Sequence, residues 1–267
     1  MDAVGTDTRF RCQDGFETVA YLSRPRDSLK HPGIIVIHEA WGLNDQIKGV
    51  TRRYAEHGFV AMAPHLFSRH GSIITESNVE KAMKSMFVVP PEKRNDRETI
   101  QNIMKNMPET ERKVVEIFFL GRDAMEKTMV GDLLSCKDFL KGQDFVMGDR
   151  LGVTGFCMGG GLAYQLSTVY PFGATIPFYG ANPKPIDSIA NISGPVLGIY
   201  AGEDDRVNSG IPTLVEAMVK HRKSFEMKLY KGAKHAFLNE TRPVYDRDAA
   251  EDAWNRTFSF FSAHLMD

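Results

Sequence analysis

The sequence predicts an α/β fold: a doubly wound, mostly parallel sheet with helices on both faces. Two observations predict it. Short apolar runs alternate with amphipathic, helix-like stretches along most of the chain. A glycine-rich run, Gly155-Phe-Cys157-Met-Gly159-Gly160-Gly161, sits where an apolar strand turns sharply into a helix. A chain of 267 residues with 42% hydrophobic content can bury one sizeable core, so residues 1–267 are read as one domain.

The elements follow in order. Phe10 to Cys12 and Thr18 to Leu22 read as an antiparallel hairpin around Asp14-Gly15. Ile34 to His38 is the first central strand. Asp45 to Glu56 is a helix, with Asn44 as N-cap and Gly58 as stop. Phe59 to Ala63 is the next strand. Between Thr75 and Val130 lies a stretch rich in Met and charge: Met83, Met86, Met104, Met107, Met125 and Met129. Pro90-Pro91 and Pro108 punctuate it, and Val114, Val115, Phe118, Phe119 and Leu120 have helical spacing. It reads as two or three inserted helices, at about 75–130, near the active-site mouth. Methionine adapts to irregular apolar shapes, which suits a pocket-lining cap, but ordinary helix packing is the simpler reading. Val130 to Leu140 is a helix feeding the elbow strand, and Leu162 to Val169 a helix leaving it. Gly173 to Tyr179, Pro195 to Tyr200 and Phe225 to Tyr230 complete the sheet. Ile211 to Lys220 and Ala249 to Leu265 are its remaining helices.

The glycine run carries the chemistry. It matches the G-x-S-x-G nucleophile elbow with sulfur in place of oxygen. A residue at the tip of such a turn is strained, and its neighbours two positions away are crowded, so Gly155 and Gly159 carry no side chain there. The N-terminus of the following helix offers free N–H groups and positive dipole to the sulfur, which favours the nucleophilic thiolate. Taken alone, the run also fits a buried structural cysteine. Its partners shift the balance. Asp204 follows the apolar strand ending at Tyr200, and His235 follows the alternating strand ending at Tyr230. Cys157, Asp204 and His235 therefore stand in nucleophile–acid–histidine order on three successive strand ends. His235 can accept the thiol proton, while Asp204 orients the imidazole and stabilises its cation. Among the consecutive acids Glu203, Asp204 and Asp205, the spacing from Gly202 favours Asp204.

At this point the chain resembles the dienelactone hydrolase family. The resemblance rests on Gly33-Ile-Ile-Val-Ile-His38-Glu39-Ala-Trp41-Gly42-Leu-Asn44, Ala63-Pro64-His65-Leu66-Phe67, Gly155-Phe-Cys157-Met-Gly159-Gly160, Phe178-Tyr179-Gly180, Gly202-Glu-Asp204 and His235-Ala-Phe237. It runs from about residue 15 to the C-terminus. It implies an α/β-hydrolase fold, cleavage of a lactone or ester by a Cys157–His235–Asp204 triad, and neither metal nor organic cofactor. It also implies an acid, Glu39, close to the nucleophile, either as a hydrogen-bond partner of the resting thiol or as a charge that holds it neutral. A helix-capping role for Glu39 stands equally open. The oxyanion hole is expected from the backbone N–H groups of Met158 and Ala40. Trp41 and Tyr179 are candidate pocket residues, and His38 a supporting one. Substrates of the dienelactone type carry a carboxylate, for which Arg69, Arg206 and Arg242 are candidate partners. Pro64-His65-Leu66 departs from the Pro-Asp-Leu common in the family.

Composition narrows the setting. A net charge of −1 gives no attraction for nucleic acid. There is no long apolar run to span a membrane and no apolar signal core at the N-terminus. Cys12, Cys136 and Cys157 are few, odd in number and lack metal-ligand spacing; they fit a reducing, cytoplasmic setting. The expected partner is a small ester or lactone, and no feature of the sequence sets an oligomeric state. Three readings compete: a lactone or ester hydrolase, with thioester cleavage on the same fold as its variant; a glutamine amidotransferase, disfavoured because Gly161-Leu162 supplies no Gln soon after the elbow and His235-Ala-Phe237 no His-x-Glu pair; and a non-catalytic thiol switch.

Overall fold

A computed structural model describes residues 1–90, 93–94 and 96–266. Eight strands form one sheet: β1 (Ala3–Arg11), β2 (Glu17–Pro25), β3 (His31–Ile37), β4 (Val60–Pro64), β5 (Val146–Phe156), β6 (Ala174–Phe178), β7 (Val196–Glu203) and β8 (Phe225–Lys234). Their order is β1-β2-β4-β3-β5-β6-β7-β8. β1 and β2 run antiparallel to each other, and β2 runs antiparallel to β4; every other pairing is parallel. This is the α/β-hydrolase arrangement.

The core sits in two layers because β3 alternates. Ile34 and Val36 pack with Tyr54, Phe59, Trp254 and Phe261, on the side of α1 (Asp45–Glu56) and the C-terminal helix. Ile35 and Ile37 pack with Leu133, Leu140, Leu162 and Leu166 on the opposite side. A strand covered on both faces must be apolar at every position, and β3 is buried from Pro32 through Ile37. α1 begins where expected: Asn44 accepts the Ile47 N–H at 3.2 Å, and Gly58 follows the helix with φ +88°.

Between β4 and β5 lie α2 (Glu76–Phe87), α3 (Arg97–Met104), α4 (Glu109–Val115), a π-helical turn (Glu116–Leu120) and α5 (Arg122–Lys141). Pro91, half of the expected Pro90-Pro91 break, lies outside the described residues. Met86, Met107, Met125 and Met129 are buried in the main core cluster, so these methionines pack helices. α5 starts at Arg122, well before Val130, because its polar first turns are wet and joined by an Arg122–Glu126 pair at 2.6 Å. The entry hairpin is also longer than its apolar residues suggested. Its ladder runs to Ala3↔Pro25 through residues whose outer face is solvated, which hides the strand in a hydropathy pattern.

The remaining helices are α6 (Met158–Ser167), α7 (Asp205–Asn208), α8 (Ile211–Lys220) and α9 (Arg247–Leu265). α6 begins immediately after Cys157, four residues before Leu162, because three glycines carry no hydropathy signal. Close packing requires three of the glycines around Cys157, Gly160 among them, where a Cβ would stand 2.4 Å from the Phe178 carbonyl oxygen. A Cβ on Gly155 would stand 2.0 Å from the Gly159 carbonyl oxygen, and one on Gly159 would stand 2.3 Å from the Ile37 oxygen. Gly161 has only ordinary contacts, so the close approach of helix to sheet does not depend on it.

Gly159→Ala should therefore cost about 3 kcal/mol or more, since backbone rather than a flexible side chain blocks the new methyl. Gly161→Ala should be close to neutral. Urea unfolding of the two variants measures the difference.

Candidate active site

Cys157 is the turn between β5 and α6, with φ 55° and ψ −113°. Few non-glycine residues adopt this conformation, and it costs on the order of 1–3 kcal/mol. Backbone bonds hold it there. The Cys157 N–H donates to the Phe178 carbonyl at 3.1 Å, and the Cys157 carbonyl accepts from Gly160 at 3.0 Å. The side chain is half-buried, whereas Cys12 and Cys136 are buried.

Asp204 ends the β7 connection as the N-cap of α7 and is buried. One carboxylate oxygen accepts the Val207 N–H at 3.4 Å, and the other pairs with Nδ1 of His235. Glu203 and Asp205 are exposed. The His235 ring also lies near enough to Cys157 for the sulfur's charge to act on it, so carboxylate, imidazole and sulfur converge at one rim. Burial pushes the imidazole pKa down. The charge of Cys157 and the hydrogen bond to Asp204 outweigh it and push the ring up to about 10.

Glu39 follows β3 and is 4% exposed. Oε2 accepts from Nδ2 of Asn239 at 2.8 Å, while Oε1 has no protein partner among the described residues. Asn239 cannot be turned the other way round, because its Oδ1 accepts from both the N–H and the hydroxyl of Thr241. Burial raises the Glu39 pKa, and the Asn239 hydrogen bond only partly offsets it. The sequence reading missed Asn239, since a buried amide four residues past a histidine leaves no pattern. His38 is fully buried and neutral, its pKa driven down to about 3 by burial. Its Nδ1 lies 2.6 Å from the Glu39 carbonyl and its Nε2 accepts from Leu66 N–H at 3.1 Å. It thus ties the ends of β3 and β4 together.

The close approach at Gly159 sets the start of α6, which Met158 opens, against the carbonyls of Ile37 and of His38, which stands two residues before Ala40. Among the described residues, neither the Met158 nor the Ala40 N–H is engaged by a protein acceptor. Trp41 lies in the same loop, with the Arg242 guanidinium 4.6 Å from its ring centre.

Other candidates fall elsewhere. Tyr179 has φ 37° and is 1% exposed, with its ring 5.0 Å from the His235 ring. It packs against the histidine and, with Glu39 and Asn239, lines a small cavity. Arg69 is held by Asp14 at 2.7 Å and by Asp132 at 2.7 Å, and it stacks on Phe16. Its charge is spent in that network, so the expected carboxylate contact has no free cation there. Arg206 is exposed on α7.

The dienelactone hydrolase family model matches residues 18–265. The chain belongs to the dienelactone hydrolase family. A Saccharolobus solfataricus protein, provisionally named a carboxymethylenebutenolidase, is 43% identical over 94% of this chain and 96% of its own length. The Aquifex pyrophilus protein usf is 32% identical over 95% of this chain and 96% of its own length. A provisional dienelactone hydrolase from Klebsiella pneumoniae superposes with a TM-score of 0.75 at 23% identity, covering 98% of this chain and 99% of its own. A dienelactone hydrolase-like promiscuous phosphotriesterase from metagenomic libraries gives 0.74 at 19% identity, over 99% of this chain and 100% of its own. The last two speak to the fold. As a member of this family the protein is a hydrolase of the dienelactone hydrolase type. Among the described residues, no helix is long and apolar enough to cross a membrane.

The ring nitrogen titration of His235, followed by NMR, should centre near pH 10. Cys157→Ala should lower it, because the sulfur's charge is the largest influence raising it. The sign for stability follows. A pKa raised from the ordinary 6.5 means the charged ring stabilises the fold fully below pH 6.5, and that contribution is lost as pH climbs through about 10.

Proposed function

We propose that the protein cleaves a lactone or carboxylic ester through an acyl-thioenzyme, with Cys157 as nucleophile, His235 as acid and base, and Asp204 as the group that orients the ring. One observation carries this reading: the part-buried Asp204–His235 pair set beside Cys157, which stands at a strained strand-to-helix turn. The name carried by the 43% identical relative supports a lactone as the substrate class. The free thiols fit a reducing, cytoplasmic setting.

The steps follow from the geometry. The Cys157 thiolate attacks the carbonyl carbon, and the carbonyl electron pair moves onto oxygen. The N–H groups of Met158 and Ala40 hold that oxyanion, at roughly 3 kcal/mol each. Collapse breaks the C–O bond, and the leaving alkoxide takes the proton from the His235 imidazolium. The ring, now neutral, takes a proton from water as the water attacks the thioester. A second collapse breaks the C–S bond, releases the acid and restores the thiolate–imidazolium pair. Asp204 keeps Nδ1 protonated throughout. Glu39, buried beside this centre, tempers the sulfur's charge. A carboxylate at that position opposes the thiolate, and burial favours its neutral form.

Three results are expected. Iodoacetamide should label Cys157 ahead of Cys12 and Cys136, whose thiols burial both shields and raises; peptide mass spectrometry locates the adduct. His235→Gln should lower kcat on a small aryl ester by about a thousandfold. Rates like those of the unaltered protein would exclude the ring as base and favour a thiol switch. Glu39→Gln should speed alkylation of Cys157, and an unchanged rate would remove Glu39 from this role.

A further inference from the structure

Three segments that the sequence keeps apart meet at Arg242. The first is the loop after His235, which carries Arg242 itself. The second is the Glu39–Asn44 loop, which carries Ala40 and Trp41. The third is the first two turns of α2, the leading helix of the insertion. The guanidinium lies 4.6 Å from the Trp41 ring centre and donates to Glu76 at 2.8 Å and to Glu80 at 3.2 Å. Glu76 accepts in addition from Nδ2 of Asn44 at 3.4 Å, while Oδ1 of Asn44 caps α1. Arginine suits this junction because its planar fork can stack on an indole and reach two carboxylates at once. Each surface pair adds little stability by itself. Their geometric effect is larger, since one part-buried side chain holds three loops in register.

The same contacts decide the charge of the mouth. Arg69 is consumed by Asp14 and Asp132, away from the catalytic loops. Arg242 is consumed by Glu76 and Glu80. Arg242 and Glu76 are near enough to Glu39 to shift its pKa in opposite directions. Glu76 and Glu80 thus share a single arginine, and a substrate carboxylate arriving there would meet their like charge and compete with both for one guanidinium.

We propose that Arg242 is a positioning residue that latches α2 onto the oxyanion and histidine loops, and that the site consequently takes uncharged esters and lactones in preference to carboxylated ones. The proposal rests on the hydrolase reading above.

A matched pair of substrates tests it: para-nitrophenyl butyrate and para-nitrophenyl hemisuccinate, which differ by a methyl against a carboxylate. The intact protein should favour the butyrate in kcat/KM by about tenfold or more. Glu76→Gln combined with Glu80→Gln should narrow that preference by freeing the guanidinium. Arg242→Gln should lower kcat on both esters without lowering the preference, and Arg242→Lys should recover part of the loss. Hydrogen exchange should quicken in Arg242→Gln over both α2 and residues 39–44, a readout independent of turnover. A preference for the hemisuccinate that Arg242→Gln selectively abolishes would overturn the proposal, as would exchange unchanged by that substitution. Either result leaves hydrolysis by Cys157 standing. Turnover that survives Cys157→Ala would overturn both readings.

Discussion

The contact between Gly155 and Gly159 is the constraint on which the rest of the site depends. With no side chain at either position, the chain can reverse within a few residues, and Cys157 is forced to φ 55° at the tip. The same absence of a side chain at Gly159 lets α6 start against the Ile37 and His38 carbonyls. One tight turn therefore presents the sulfur, points a helix N-terminus at it, and brings the Glu39–Asn44 loop alongside. A methyl group at that junction would separate all three.

Around this turn the site is built from strand ends, and its electrostatics follow from burial. His38 and Glu39 are adjacent and both buried, and both are driven toward their neutral forms. His235 moves the other way, because it alone faces two negative partners, Cys157 and Asp204. Burial and partner charge thus push neighbouring groups of one small centre in opposite directions. Charge separation confined in this way suits a reaction whose transition state adds an oxyanion beside the sulfur.

The insertion bears on this centre from outside. Phe118 packs on Phe67, which packs on His38, while Arg242 grips α2 across Trp41. The helices between β4 and β5 are therefore tied to the catalytic loops at an aromatic contact and at an ionic one. Substitutions in this segment can reach the Glu39–Asn44 loop without touching Cys157, Asp204 or His235.

Much of this was legible in the residues themselves. Local steric and hydropathy rules depend on neighbours a few positions away, so the β3 run, the Asn44 cap, the α8 bounds and the Gly-x-Cys-x-Gly turn could all be read directly. Order along the chain sufficed to nominate Cys157, Asp204 and His235, because parallel strands deliver their C-terminal ends to one rim. Boundaries went astray where polar or glycine residues mask a periodic pattern, as at the start of α6, the first turns of α5 and the outer reach of the hairpin. Only the tertiary structure decided which charges face which. Arg69 and Arg242 look alike in sequence, yet each is claimed by carboxylates at least 55 residues away. Asn239 meets Glu39 across 200 positions, and the Tyr179 ring packs against the His235 ring. Such pairings arise from how separate segments pack, and no local rule of the chain encodes them.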